Sequence, residues 1–263
     1  MRIVGIVLVR DEERFVERAL RNVVEFCDEL IVCDHGSRDA TPGILADFAA
    51  EFSGKVTVHS VRRPGESHRL IERFAGTDAW VFGVDGDEIY DPAGLRRFRR
   101  RLEAGEFDKW WVVFGNVLNV VELGEDSATG HLAPPCRSMT KLYNFAAIER
   151  WDGGDIVERL HGGDIRFREG RSESDRCALH ESAGWDDADF RCLHFCFLER
   201  SSVDAAGGPR KNIMDRHAWT AGKMLSKAKG LLAGRGAPDW KEEKYARGPV
   251  VTKRVGEFFP KGA

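Results

Sequence analysis

The densest chemical signal in the chain is Val84-Asp85-Gly86-Asp87-Glu88. Three carboxylates crowd the end of an apolar run, Trp80-Val81-Phe82-Gly83-Val84, that reads as a buried strand. Ligands of open α/β sheets bind beyond the carboxyl ends of the strands. Carboxylates packed there repel one another unless they share a cation. Hard oxygen donors suit Mg²⁺ or Mn²⁺, and these ions also bridge phosphates. Gly86 would let backbone approach a ligand closely. The plain alternative is an acidic turn, but its position after a buried strand favours a metal–phosphate site.

A second signal lies at two earlier strand ends, Val9-Arg10-Asp11-Glu12-Glu13 and Asp34-His35-Gly36-Ser37-Arg38-Asp39. Asp34 at a strand tip can accept a hydrogen bond from a base N–H or a ribose hydroxyl. Its plain alternative is a turn cap. The Gly-x-Gly-x-x-Gly pattern is missing, so a dinucleotide cradle is unsupported.

The elements that must position these groups alternate through the first hundred residues. Ile3–Val9, Glu29–Cys33, Lys55–Val61 and Trp80–Val84 read as strands. Helices with Phe15, Leu20 and Val23, then Ile44, Leu45 and Phe48, then Leu95, Phe98 and Leu102 fall between and after them. Asp11, Thr41-Pro42 and Asp91-Pro92 are the expected helix starts. Such alternation predicts a mostly parallel sheet with right-handed crossovers and flanking helices. After about residue 105 the rhythm changes. Trp110–Val121 is strand-like, Glu122–Pro135 reads as a loop, and residues 200–247 read as mostly helical. The expected division is 1–105, 106–200, and 201–263 for a helical C-terminal extension.

Composition narrows the function. The 263 residues are 42% hydrophobic, enough for a sizeable core, and a formal charge of −3 gives no field for gripping nucleic acid. No apolar run reaches the roughly 18 residues of a membrane span. The apolar start is followed at once by Asp11, Glu12 and Glu13, so it reads as a first strand rather than a leader. Cys192 and Cys196 flank His194, but the six cysteines contain no Cys-x-x-Cys pair. A structural zinc is therefore not expected, and reduced thiols in a cytoplasm are.

These residues resemble the GT-A-fold inverting glycosyltransferases, the large family 2 type of bacterial cell-envelope sugar transferases. Three motifs carry the likeness: Val9-Arg10-Asp11-Glu12-Glu13, Asp34 through Asp39, and Trp80 through Glu88. Arg69, eleven positions before Trp80, adds to it. His35 stands where the family usually has a second Asp. The resemblance implies an α/β GT-A fold and a nucleotide-diphosphate-sugar donor, often UDP-linked. It places the donor against Val9, Arg10, Glu12, Asp34, Arg69, Asp85 and Gly86. It also implies Mn²⁺ or Mg²⁺ on Asp87, with Asp85 on the metal or the ribose. His194, in Cys192-Leu193-His194-Phe195, resembles a segment whose His completes the metal or diphosphate site; a core histidine is the alternative. Lys211 could hold the diphosphate or a charged acceptor, or begin a solvated helix.

Trp151-Asp152-Gly153 followed by Ile156–Gly162 resembles the family's acceptor segment, with Val157 where His is common. Glu158 is the first candidate for general base and Glu181, in a second His-Glu pair, is the next; Asp152 and Asp155 stay open. Among the tryptophans, Trp110, Trp111, Trp151, Trp185 and Trp219, one or two at most are expected to touch substrate. The implied acceptor is a saccharide, a lipid-linked sugar or a protein. Lys223–Leu232 reads as an amphipathic closing helix, with contact to anionic lipid at the inner face of the membrane as the alternative.

Two other enzyme classes fit less well. A sugar nucleotidyltransferase usually carries a Gly-rich basic loop after its first strand, and Arg10–Glu13 has no glycine. A phosphohydrolase usually places Asp-x-Asp after the first strand, whereas here it follows the fourth. A catalytically inactive nucleotide-binding protein of the same fold is the reading from outside the enzymes.

Overall fold

The computed structural model describes residues 1–133, 141–152, 164–203 and 245–259. Glu158, Asp155, Lys211, Trp219 and Lys223–Leu232 lie outside them, as does most of the stretch expected to be helical.

The chain runs β1 (Arg2–Val9), α1 (Val16–Val24), β2 (Glu29–Asp34), α2 (Thr41–Glu51), β3 (Val56–Ser60), α3 (Pro64–Glu72) and β4 (Ala79–Asp85). It continues through β5 (Glu88–Tyr90), α4 (Pro92–Glu103), β6 (Val112–Phe114), β7 (Asn116–Leu123), β8 (Ser127–Ala133) and β9 (Lys141–Asn144). Then come β10 (Ile148–Asp152), β11 (Asp164–Phe167), β12 (Arg176–Ala178), β13 (Arg191–His194) and β14 (Val250–Arg254).

Seven strands form the main sheet in the order β12-β6-β9-β4-β1-β2-β3. All run parallel except β9, which is antiparallel to both β4 and β6. This is the mostly parallel α/β sheet that the resemblance to a GT-A fold implies. Both faces are covered, which explains the unbroken apolar runs. Ile3, Val7 and Val9 of β1 pack with Leu20, Leu45 and Phe98 of the helices on one side. Val4 and Ile6 pack with Ile71 of α3 and with Trp151 on the other. Gly5 is required at the centre: a Cβ there would stand 2.4 Å from Leu30 Cδ1 and 2.9 Å from Cys27 Sγ.

A second sheet has the order β14-β8-β7-β13-β5. The chain passes from the main sheet to this one at Gly86-Asp87, between β4 and β5. β13 pairs antiparallel with β5 and parallel with β7, setting His194 opposite Glu88 on one side and Asn119 on the other.

Several expectations change. The Glu122–Pro135 stretch is not simply a loop, because Ser127–Ala133 is β8, folded back on β7 through a turn closed by Gly124 N donating to Ser127 O at 2.8 Å. The turn residues were legible; the small residues of β8 hid its alternation. Within the extension expected to be helical, Val250–Arg254 is instead a strand paired with β8. Asp11 does not cap α1. The helix begins at Val16, and Asp11 takes a left-handed φ of 49° and accepts from Arg38 N at 2.7 Å instead. Thr41 does not cap α2 either: its Oγ1 accepts from Glu12 N at 2.9 Å. Asp91 does cap α4, accepting from Gly94 N at 3.0 Å. Trp111, Trp151 and Trp185 are buried core, and Trp110 packs on it.

Candidate functional site

The carboxyl ends of β1, β2 and β4 lie side by side, carrying Val9, Asp34 and Asp85. Gly86 N donates to Leu8 O at 3.3 Å, and a Cβ on Gly86 would stand 2.8 Å from Val9 Cγ1 and 3.1 Å from Glu12 Cγ. Gly86 is thus needed for contact with this chain's own first loop, not only for approach to a ligand. Asp87 follows at the corner, 1% exposed, and its carbonyl accepts from Phe195 N at 3.0 Å. That bond brings the end of β13 against the corner.

The result is a cluster of Asp85, Asp87 and His194, one donor atom from each, all within 4.8 Å of one another. His194 Nε2 is 3.6 Å from Asp87 Oδ1. Adjacent donors on an octahedral ion at about 2.1 Å are about 3.0 Å apart, and opposite donors about 4.2 Å. The observed spacing therefore needs only small closure. Two carboxylates and an imidazole are a chemically suitable donor set for Mg²⁺ or Mn²⁺, the imidazole suiting Mn²⁺ better.

Arg200 is a site residue that the sequence does not single out. It reaches into the cluster, bonding Asp87 Oδ2 and, at 3.3 Å, Glu12 Oε1. Burial opposes the charge of this guanidinium, but Asp87 and Glu12 outweigh it and raise its pKa. Residues 199–202 are strapped over the first two loops. Arg14 N donates to Arg200 O, Ser202 N donates to Glu13 Oε1, and Ser201 Oγ donates to Asp39 Oδ2.

Glu88 has a different fate from its neighbours. Burial, with the nearby Asp85 charge second, pushes its carboxyl up to about 8. Tyr90 Oη donates to its Oε2 at 2.8 Å and Asp85 N at 3.2 Å. Glu12, Asp85 and Asp87 thus bring three carboxylates to a cluster in which Arg200 is the bonded cation named above.

The other expected residues sit as follows. Asp34 lies beside this cluster on the same rim, with its Oδ1 accepting from Ser37 N at 3.0 Å and Ser37 Oγ at 2.6 Å. Arg10 Nε is 3.7 Å from Asp11 Oδ2. Arg69 is on the exposed side of the last turn of α3. Glu181 is exposed just past the carboxyl end of β12. It shares the rim but stands three strands from β4, about 14 Å at ordinary strand spacing. Asp152 closes β10 on a separate hairpin with β11. Cys192 and Cys196 are both buried, and burial raises the Cys192 thiol far above its ordinary value.

A family model described as Glycosyl transferase family 2 matches residues 6–126. A TPR repeat-containing protein of Synechococcus elongatus is 37% identical over 99 residues, 38% of this chain and 24% of that protein. The chain thus spans about a quarter of the length of the curated relative it matches. Among solved structures, glucosyl-3-phosphoglycerate synthase of Mycobacterium tuberculosis, in complex with Mn²⁺, UDP and glucosyl-3-phosphoglycerate, is 18% identical, with 56% of this chain and 58% of that one covered and a TM-score of 0.36. A mycobacterial protein is 25% identical over 43% of this chain and 39% of its own, with a TM-score of 0.32. Superpositions this loose bear on neither the site nor its chemistry. The family match spans Asp34, Asp85 and Asp87 and ends before His194 and Arg200. The likeness to glycosyl transferase family 2 is thus carried by residues 6–126, a little under half of the chain.

Proposed function

We propose that this protein transfers a sugar from a nucleotide-diphosphate donor to an acceptor hydroxyl, with inversion, using Mn²⁺ or Mg²⁺. The observation that carries the reading is the Asp85–Asp87–His194 donor set beside the Asp34 turn, at the carboxyl ends of adjacent strands. Asp87 and His194 would hold the cation, with Asp85 completing the set or meeting the ribose. When bound, the ion would neutralise charge growing on the departing diphosphate. Arg200, already inside the cluster, adds a second positive group on that side. Asp34 would meet the base through its carboxylate, and Val9, Arg10, Glu12 and Gly86 would line the donor beside it. Arg69 is proposed to meet the nucleotide or the carboxylates, and Lys211 the diphosphate or a charged acceptor.

A hydroxyl is a poor nucleophile, so a carboxylate opposite the leaving group must take its proton during attack. Glu158 is the proposed base and Glu181 the second candidate. One displacement then inverts the anomeric centre. UDP is the proposed nucleotide. The proposed acceptor is a saccharide, lipid-linked sugar or protein of the cell envelope, used from the cytoplasmic side with peripheral membrane contact. No helix among the described residues is long and apolar enough to cross a membrane.

Calorimetric titration of UDP with Mn²⁺ and with EDTA tests the donor site. Binding that requires Mn²⁺ and disappears in Asp87→Ala is expected. No binding of uridine, guanosine, cytidine or thymidine diphosphates under either condition would remove the donor reading. With a turnover assay in hand, Glu158→Gln is expected to lower kcat at least about 100-fold. If Glu181→Gln does so instead, the base assignment moves there.

A further inference from the structure

Asn119 lies in β7, fully buried, level with His194 of β13. Its amide orientation is set by surroundings outside the acidic cluster. The Nδ2 group donates to His131 O at 3.5 Å and to Tyr245 O at 3.4 Å. An amide NH₂ only donates and a carbonyl only accepts, so these two contacts turn Oδ1 toward the imidazole. Oδ1 is 2.8 Å from His194 Nδ1, and Cys196 Sγ points to the same oxygen at 3.7 Å.

An oxygen at 2.8 Å requires that Nδ1 carry the hydrogen. A neutral ring then has its lone pair on Nε2. Nε2 faces Asp87 Oδ1 at 3.6 Å, so two acceptors point at one space between them. A cation in that space satisfies both. The ring is also confined from the side by Tyr245, edge-on at 5.1 Å between centroids.

We propose that Asn119 is a positioning residue: it fixes His194 in the Nδ1–H tautomer and so presents Nε2 as a ligand for the divalent cation. This rests on the reading that Asp87 and His194 bind that cation. Partners of this kind on metal-bound histidines typically change metal affinity by about 10–100-fold when removed.

The test is Mn²⁺ titration of the full chain without nucleotide, by calorimetry, for wild type, Asn119→Leu, Asn119→Asp, His194→Ala and Asp87→Ala. Nitrogen NMR of His194 in metal-free wild type at pH 8 accompanies it. The expected results are an Nδ1–H ring, Mn²⁺ affinity lowered about 10–100-fold in Asn119→Leu, and a smaller loss in Asn119→Asp, which keeps one oxygen for Nδ1–H but sets the other against the His131 and Tyr245 carbonyls. Wild-type affinity in Asn119→Leu, with loss in His194→Ala, would overturn the role of Asn119 alone. Wild-type affinity in His194→Ala and Asp87→Ala would overturn the cation site beneath it. The NMR measurement needs no variant, so an Nε2–H ring in wild type overturns the proposal even if Asn119→Leu fails to fold.

Discussion

Arg200 changes how the acidic cluster is understood. A buried guanidinium between Asp87 and Glu12 holds together carboxylates that would otherwise repel. Removing one partner of a buried charged group typically costs about 3–5 kcal/mol, because the remaining charges stay buried. Arg200→Met is therefore expected to lose stability of that order in EDTA, measured by urea unfolding. Added Mn²⁺ should return part of the loss, since it brings positive charge to the same carboxylates. An equal loss with and without Mn²⁺ would show that Arg200 and the ion do not share them. Asp85 and Asp87 could be found in the sequence because two alternate positions at a strand end fall on one rim. Arg200 could not, because it meets Asp87 from 113 residues away and Leu198-Glu199-Arg200-Ser201 reads like any solvated turn. Asp11 and Thr41 were visible as polar residues near helix starts, yet both tie the first two loops together. A side chain that can cap can also bridge, and only the packed loops decide which.

The corner between β4 and β5 is the element on which the site depends most. Gly86→Ala would press a methyl group against Val9 and Glu12, and Glu12 also receives Arg200. Overpacking of this kind costs about 1–3 kcal/mol. A lower melting temperature and weaker Mn²⁺ binding are expected together; unchanged values for both would mean that the corner yields freely. The strands and helices of the first hundred residues were legible because each buries a continuous run or a helical stripe. The second sheet was much less so. Its β5 and β13 are three and four residues long, too short for any period to show. Its β14 alternates exposed and half-buried positions, so little apolar signal marks it. The pairing of β13 with β5 and β7, which delivers His194, is decided by contacts distant in sequence rather than by local preference.

Charge also links distant parts of the molecule at its other end. Asp28 accepts from Ile3 N at 2.7 Å and from Arg99 Nη2 at 2.8 Å, joining β1 to α4. Burial would raise its pKa, but these two bonds and the Arg99 charge outweigh burial and lower it. At Asp39, burial is likewise outweighed by hydrogen bonds from Ser201, Thr41 and Glu13. A lowered carboxylate contributes stability above its unfolded pKa and loses it as pH falls through the folded one. Stability should therefore fall as the pH drops below about 4. Asp28→Asn should flatten that fall while costing about 1 kcal/mol at pH 7. A pH profile parallel to wild type would rule out this origin. The order in which the site's charges leave the ribosome follows from the strap over the first loops. Glu12 is made early, and the arginine that meets it comes 188 residues later. Asp87 waits 113 residues for the same partner. A nascent chain that has emerged only through residue 126 would thus carry these acidic residues without their internal counterion. Until Arg200 emerges, those carboxylates depend on water or a borrowed cation, so early chains should be the form most sensitive to chelators during synthesis.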